Sequence, residues 1–242
     1  MNLDLDKIKA FASARAECTV DAGAKFVKIE PADSVKSNWE VVGQGSGVFS
    51  NGKPMRMAEA VKITGNNSRV YVMHGAQVYG HIEIKGDNST VYIGARTRLR
   101  GLRVVITGDN ASVTFGQEAT TEHAVFFAFH SGANIVVGDD CMFSSGVVLR
   151  TNDHHAIFDR NTKELLSTPD DIVVGAHAWI GNGARITKGV TIGRGGVIGQ
   201  MSVVTKDTEP HCVYAGVPAK KVRENIAWSR NAEWGSIPEQ FR

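Results

Sequence analysis

Two adjacent histidines, His154 and His155, stand directly after the run Arg150-Thr-Asn152-Asp153. Imidazole is the one side chain whose ordinary titration falls near neutral pH, so either ring can take a proton from a hydroxyl within hydrogen-bond reach. Two roles are open to Asp153. It can hydrogen-bond an imidazole, fixing its tautomer and raising its basicity, or it can cap the turn of the segment. A His-His pair in a polar segment is, by default, a pair of solvated loop residues, and that reading stands beside the chemical one. His74, His81, His123, His130 and His211 have no Cys, Asp or Glu partners at ligand spacing, so no metal site is expected. His123 and His130 bracket the apolar run Val125-Phe126-Phe127-Ala128-Phe129, which either lines a pocket or fills the core.

Something must hold these residues, and the chain downstream shows what. Val174, Ile180, Ile186, Ile192, Ile198 and Val204 follow one another at intervals of six. Glycine comes directly after four of them, at Gly175, Gly181, Gly193 and Gly199, and small or β-branched residues recur four positions after each aliphatic. An α-helix would scatter such residues over different faces, and a half-buried strand would alternate strictly. A coil of three short flat strands accounts for the pattern, each hexad giving one strand and one turn and about 18 residues closing the coil. The aliphatics then point inward and stack on their counterparts at roughly 4.8 Å.

Upstream the rhythm is looser. Ile63-Thr-Gly65-Asn-Asn67, Ile84-Lys-Gly86-Asp-Asn88 and Ile106-Thr-Gly108-Asp-Asn110 precede stretches rich in β-formers, so the coils there have enlarged corners turned by Gly and Asn. The predicted fold is all-β: a parallel β-helix over 61–218, with a polar loop let out of the coil at about 152–170. An N-terminal cap and irregular region occupies 1–60, where Leu5, Ile8, Phe11 and Ala12 sit at helical spacing. A C-terminal helix and tail are expected over 219–242, the helix covering the open edge of the sheet.

Bulk composition narrows the function classes. The 242 residues carry 27 basic and 25 acidic side chains, a net charge of +2, which gives no footprint for nucleic acid. No apolar run reaches the length of about 18 residues that a membrane-spanning helix needs. The acidic start lacks a secretory signal, and three cysteines at wide spacing read as reduced thiols, so a cytoplasmic protein is expected.

The stretch His177-Ala-Trp179-Ile-Gly-Asn182, Gly189-Val-Thr-Ile-Gly193, Val203-Val-Thr205-Lys206-Asp207 and Ala215-Gly216-Val-Pro218-Ala219-Lys220 resembles the C-terminal signature of the hexapeptide-repeat acyltransferase superfamily. With Arg150-Thr-Asn-Asp153-His-His155-Ala-Ile added, the resemblance narrows to bacterial O-acetyltransferases of capsule, lipopolysaccharide or sialic-acid-containing glycans. It covers about residues 130–230 closely and 60–130 loosely. It implies a left-handed β-helix, a homotrimer with sites in grooves between solenoids, acetyl-CoA as co-substrate, and a sugar hydroxyl as acceptor.

The resemblance also assigns roles. The pattern Arg-Thr-x-Asp-x-His-x-Ile puts the general base at His155, while alignment to the galactoside-type branch puts it at His154. Arg150 and Asn152 become candidates for acceptor contacts. Trp179 would lie along the pantetheine arm, wall the acceptor pocket, or pack chain against chain. Asn182 would meet the pantetheine, Thr205 and Lys206 the adenosine phosphates, and Lys220 and Arg223 the 3′-phosphate or pyrophosphate oxygens. For the basic residues a merely solvated surface is the competing reading. Gln200-Met201 replaces the Ala-Gly usual in the superfamily, so larger side chains are expected to narrow the donor channel beside Gln200. His177 is expected near this groove, as a surface residue or a contact in it. Two alternatives share the fold: an N-acetyltransferase of an amino-sugar nucleotide, and a non-catalytic or metal-binding β-helix.

Overall fold

The computed structural model describes residues 3–30, 38–52, 54 and 56–242. Among the described residues the strands stack in two sheets, one of eight strands and one of twelve, parallel except where Val27–Ile29 meets Gly47–Asn51 and Ala219–Arg223 meets Val213–Gly216, and wind as a left-handed β-helix of about 8 turns. The register displays the two rhythms read from the sequence. Downstream, Val174 pairs with Ile192, Ile180 with Ile198 and Ile186 with Val204, each 18 residues on. Upstream, Val70 pairs with Val91, Val91 with Val113 and Val113 with Ile135, steps of 21 and 22. The six hexad aliphatics all belong to one buried core, none more than 2% exposed.

The Gly-x-Asn corners have a steric cause. A Cβ on Gly65 would lie 2.0 Å from the Gly86 carbonyl oxygen of the next coil, and one on Gly86 would lie 1.9 Å from that of Gly108. Only glycine lets the coils approach this closely. Two residues on, Asn67, Asn88 and Asn110 take the left-handed conformation at φ +51, +53 and +55, which asparagine tolerates. Inside each corner a serine hydroxyl (Ser46, Ser68, Ser89) donates to the next coil's glycine carbonyl at 2.7, 2.7 and 2.8 Å. Buried polar backbone is thereby satisfied turn after turn.

Helix Leu3–Ala16 lies against the eight-stranded sheet, where Leu5, Ala12 and Ala16 pack with Tyr71, Tyr92, Val136 and Val173. Strand Thr90–Ile93 is buried on both faces for this reason. The coils also begin upstream of the expected residue 61: strand Asn38–Val41 pairs with Ala60–Ile63, and Gly47–Asn51 with Arg69–Met73.

The C-terminal helix expected after 218 is absent. Ala219–Arg223 is a strand that turns back antiparallel on Val213–Gly216. Lys220, Lys221 and Arg223 leave this segment no apolar helical stripe, while the last coil offers unpaired backbone groups that a strand satisfies and a helix does not. Beyond it the tail runs back over the outside of the solenoid through two short 3₁₀ turns, Trp234–Ser236 and Glu239–Phe241.

Candidate active site

Four strands of the larger sheet are long: Gln77–Ile84, Arg98–Ile106, Thr120–Ala128 and Met142–Arg150. Each bends around a corner of the prism, at Gly80, Gly101, a register shift at His123, and Gly146. The last delivers Arg150 to the start of the loop at 152–170. That loop is itself ordered as a small hairpin. Phe158 bridges Leu165, the Leu166 N–H donates to the Ile157 carbonyl at 2.7 Å, and the Asp159 carboxylate accepts the N–H groups of Asn161 and Thr162 at 2.8 Å. Those two backbone donors hold the Asp159 carboxyl below its usual range. The Asp170 N–H donates to the Thr151 carbonyl at 3.0 Å and closes the neck.

His154 and His155 sit at the neck, exposed to solvent. His154 takes φ +72, and its ring stands between Phe129, 5.7 Å away, and His155, which it meets edge-on at 4.9 Å. Neither imidazole hydrogen-bonds any described residue. Asp153 is not beside them as an acceptor: its carboxylate is engaged by the Lys188 ammonium. Arg150 lies over Phe127 and Phe129 at 5.0 and 5.8 Å. The apolar run at 125–129 therefore serves both uses considered for it, with Phe126 in the core and Phe127 and Phe129 half-buried on the outside. Asn152, whose Oδ1 is buried without a hydrogen-bond partner, joins Phe127, Arg150, Arg185 and Lys188 around a depression of about 440 Å³.

The residues expected on the donor side do not share one face: Trp179 lies on a face next to that of the depression, while Thr205 and Lys206 lie on the edge that carries Lys188. Trp179 continues the row of Met142 and Val197. Asn182 and Gln200 share one prism edge, since the Met201 N–H donates to the Asn182 carbonyl at 2.7 Å. Met201 is 67% exposed there. Thr205 and Lys206 follow Val204 as Thr187 and Lys188 follow Ile186, and those strands are in register, so the two pairs share an edge. Lys220 and Arg223 lie on the final hairpin, exposed and without an ion pair to any described residue, whereas Lys221 is held by Glu209 and Glu224.

Two residues of this region escaped the sequence reading. Lys188 precedes Lys206 by one coil, a spacing that marks it as lying on the same edge. Arg185 donates through Nη1 to the Gly146 carbonyl at 2.6 Å and the Gly183 carbonyl at 3.0 Å, a contact that no local pattern announces. His177 was expected as a surface residue or a groove contact; it is 2% exposed, roofed by the tail.

Nucleophilic cysteine chemistry is disfavoured. Burial pushes the Cys141 thiol up to about 12 and the Cys18 thiol well above its usual value, and both remain unbridged. Among the described residues, no group of His, Cys, Asp and Glu is placed to hold a metal ion. No helix among them is long and apolar enough to cross a membrane.

No family model matches the chain. It is 33% identical over 175 residues to a polysialic acid O-acetyltransferase of Neisseria meningitidis, a match covering 72% of this chain and 80% of that one. The chain belongs to the hexapeptide-repeat sugar O-acetyltransferases. A polysialic acid O-acetyltransferase of Escherichia coli O1:K1 is 34% identical over 152 residues, and the chain spans only 48% of its length. The crystal structure of the polysialic acid O-acetyltransferase OatWY superposes with a TM-score of 0.73 at 29% identity, covering 81% of this chain and 93% of that one.

Proposed function

We propose that this protein transfers the acetyl group of acetyl-CoA to a hydroxyl of a sialic-acid-type glycan, with His155 as general base. The observation that carries the reading is the pair of free imidazoles at the neck of the loop, next to the depression walled by Phe127, Arg150 and Lys188. A sugar hydroxyl is a weak nucleophile until its proton is leaving. The His155 ring takes that proton as the oxygen attacks the thioester carbonyl, and returns it to the departing thiolate of coenzyme A. His154, packed against Phe129, braces the His155 ring edge-on. The thioester is already activated, so holding donor and acceptor in line provides much of the remaining acceleration.

Lys188 assigns Asp153 a part different from orienting the base. Their ion pair tethers the start of the loop to the next coil and fixes where the histidines stand. Arg150 and Asn152 are acceptor contacts. On the donor side Trp179 and Asn182 receive the pantetheine arm beside Gln200, and Thr205, Lys206, Lys220 and Arg223 receive the phosphates.

Trp179 lies on a different prism face from the depression beside the histidine loop, so a complete site needs the Trp179 face of one copy against the histidine loop of another. A homotrimer closed around a threefold axis supplies three such seams. A cytoplasmic setting fits the acetyl-CoA requirement and three unbridged cysteines. The deciding experiment incubates the protein with acetyl-CoA and a panel of sialosides, galactosides and amino sugars, read by mass shift. An acetyl ester on a sialoside is the expected product. Transfer only to amino groups would overturn the assignment.

A further inference from the structure

Met201 combines two features for which folding alone gives no reason. Its backbone is left-handed, at φ +56, and its side chain is 67% exposed. Left-handed backbone disfavours residues with a Cβ, least so those such as asparagine and aspartate whose short polar side chain bonds locally. Among the described residues, the other non-glycine residues at positive φ are all polar or charged, and Met201 is the only apolar one. Its counterparts in the two preceding coils are glycines. The Gly183 N–H donates to the Ser145 carbonyl and the Met201 N–H to the Asn182 carbonyl, which aligns Gly146, Gly183 and Met201 along one prism edge. Gly146 and Gly183 take φ +73 and +71 without penalty. At Met201 a strained backbone carries an apolar side chain into solvent, and both cost stability. Strain of this kind clusters where a protein binds or reacts.

The side chain has a defined direction. A Cβ placed on Gly183 would lie 2.4 Å from the Met201 sulfur, so the thioether reaches back one coil and lies over the bare Gly183 backbone. Gly183 follows Trp179 by four residues, as Met201 follows Val197. Trp179, Val197 and Val213 form one outward row in register, and Arg223 of the final hairpin pairs with Val213. With the donor phosphates held by Lys220 and Arg223, as proposed above, the pantetheine arm runs along that row from the last coil towards Trp179. Met201 stands at the edge beside the middle of this path, and its thioether points to the Trp179 coil, where the arm ends in the acyl group. Methionine suits such a place, because its unbranched, polarizable chain fills irregular gaps.

We propose that Met201 sets the length of the acyl group that the protein transfers. Its thioether closes the corner over Gly183, leaving room beside Trp179 for an acetyl group and none for a butyryl chain. This rests on the donor site proposed above and adds to it the residue that selects the acyl chain.

The test compares wild type, Met201→Gly and Met201→Leu with acetyl-CoA and butyryl-CoA as donors. Glycine suits the left-handed backbone, so Met201→Gly should fold and melt about 2–4 °C above wild type. A lower melting temperature would mean that Met201 packs within the chain, and would overturn its role as an outward stop. For transfer to a sialoside, the ratio of kcat/KM for butyryl-CoA to that for acetyl-CoA is expected to rise by about tenfold or more in Met201→Gly, the scale of one methylene admitted to a pocket. Leucine, of similar volume, should keep the wild-type ratio. An unchanged ratio in Met201→Gly, or a wild type that transfers both groups equally well, would overturn the proposal. Titration calorimetry without an acceptor separates the acyl stop from the reaction. Butyryl-CoA should bind Met201→Gly about tenfold more tightly than wild type, the same scale, while the affinity for acetyl-CoA changes less. That result in a protein that acetylates no sialoside would keep the acyl stop and remove the proposed acceptor. A wild type that acetylates a sialoside yet binds both thioesters alike would do the reverse. A change of mass by light scattering in Met201→Gly would reassign the side chain to contact between copies.

Discussion

His177 and Trp228 hold each other reciprocally. Their rings stack at 4.2 Å and 12°, the Trp228 Nε1–H donates to the His177 carbonyl at 2.7 Å, and His177 Nε2 faces the Trp228 carbonyl at 3.0 Å. On the other face of the imidazole Phe241 stacks at 4.6 Å, so the ring is clamped between two parts of the tail. Trp228 in turn comes within 6.0 Å of Trp179. The last residues of the chain thus form one wall beside the proposed donor site.

Trp228→Ala is expected to release the tail and cost about 3 kcal/mol, the scale for emptying a buried aromatic site. Urea unfolding measures the loss, and limited proteolysis should then cut after Arg223 in the variant and spare wild type. Equal protease resistance in both would mean that the tail is held elsewhere.

Asp140 makes this clamp acid-sensitive. Burial works to raise its carboxyl, but the bonds from His177 at 2.7 Å and Arg230 at 2.8 Å outweigh it and hold the carboxyl below its ordinary value of 3.8. A carboxyl depressed by folding contributes its full stability above its unfolded value and loses it as pH falls through the folded one. The tail should therefore stay docked down to about pH 3.8 and loosen below it. Asp140→Asn should abolish that acid transition while lowering stability at neutral pH. Tryptophan emission against pH tracks both.

Two glycines distinguish crowding from backbone strain. A Cβ at Gly86 meets the Gly108 carbonyl oxygen at 1.9 Å, whereas one at Gly132, φ +79, meets nothing within 4 Å. Gly86→Ala must push two coils apart and should cost about 3 kcal/mol. Gly132→Ala suffers only its conformation, about 1 kcal/mol. Thermal melts that rank the two the other way would contradict the steric account of the corners.

His155→Ala should reduce turnover by about a hundredfold or more, the range for removing a general base, with acetyl-CoA binding kept. His154→Ala should cost far less, since it removes only a brace. Lys188→Ala should raise KM for the acceptor by freeing the loop start, with a smaller effect on kcat. A dead His154→Ala beside an active His155→Ala would exchange the two roles.

The hexads from Val174 to Val204 specified the coil without help from the rest of the chain, because every sixth side chain meets only its own copies in neighbouring turns. The Gly-x-Asn corners were legible for the same reason: coil-to-coil contact repeats with the sequence. The first strands were less so, as Asn38–Val41 and Gly47–Asn51 lack that recurring motif in full. The chain beyond Val204 was shaped by contacts between distant segments. Ala219–Arg223 became a strand because an open edge awaited it, and His177 was buried because residues some fifty positions later folded back over it. The histidines could be named from their neighbours in the chain, yet the pairing of Asp153 with Lys188 arises only when separate coils are laid in register. Local periodicity determines a repeating fold, while a site built from side chains on different coils depends on how those coils stack.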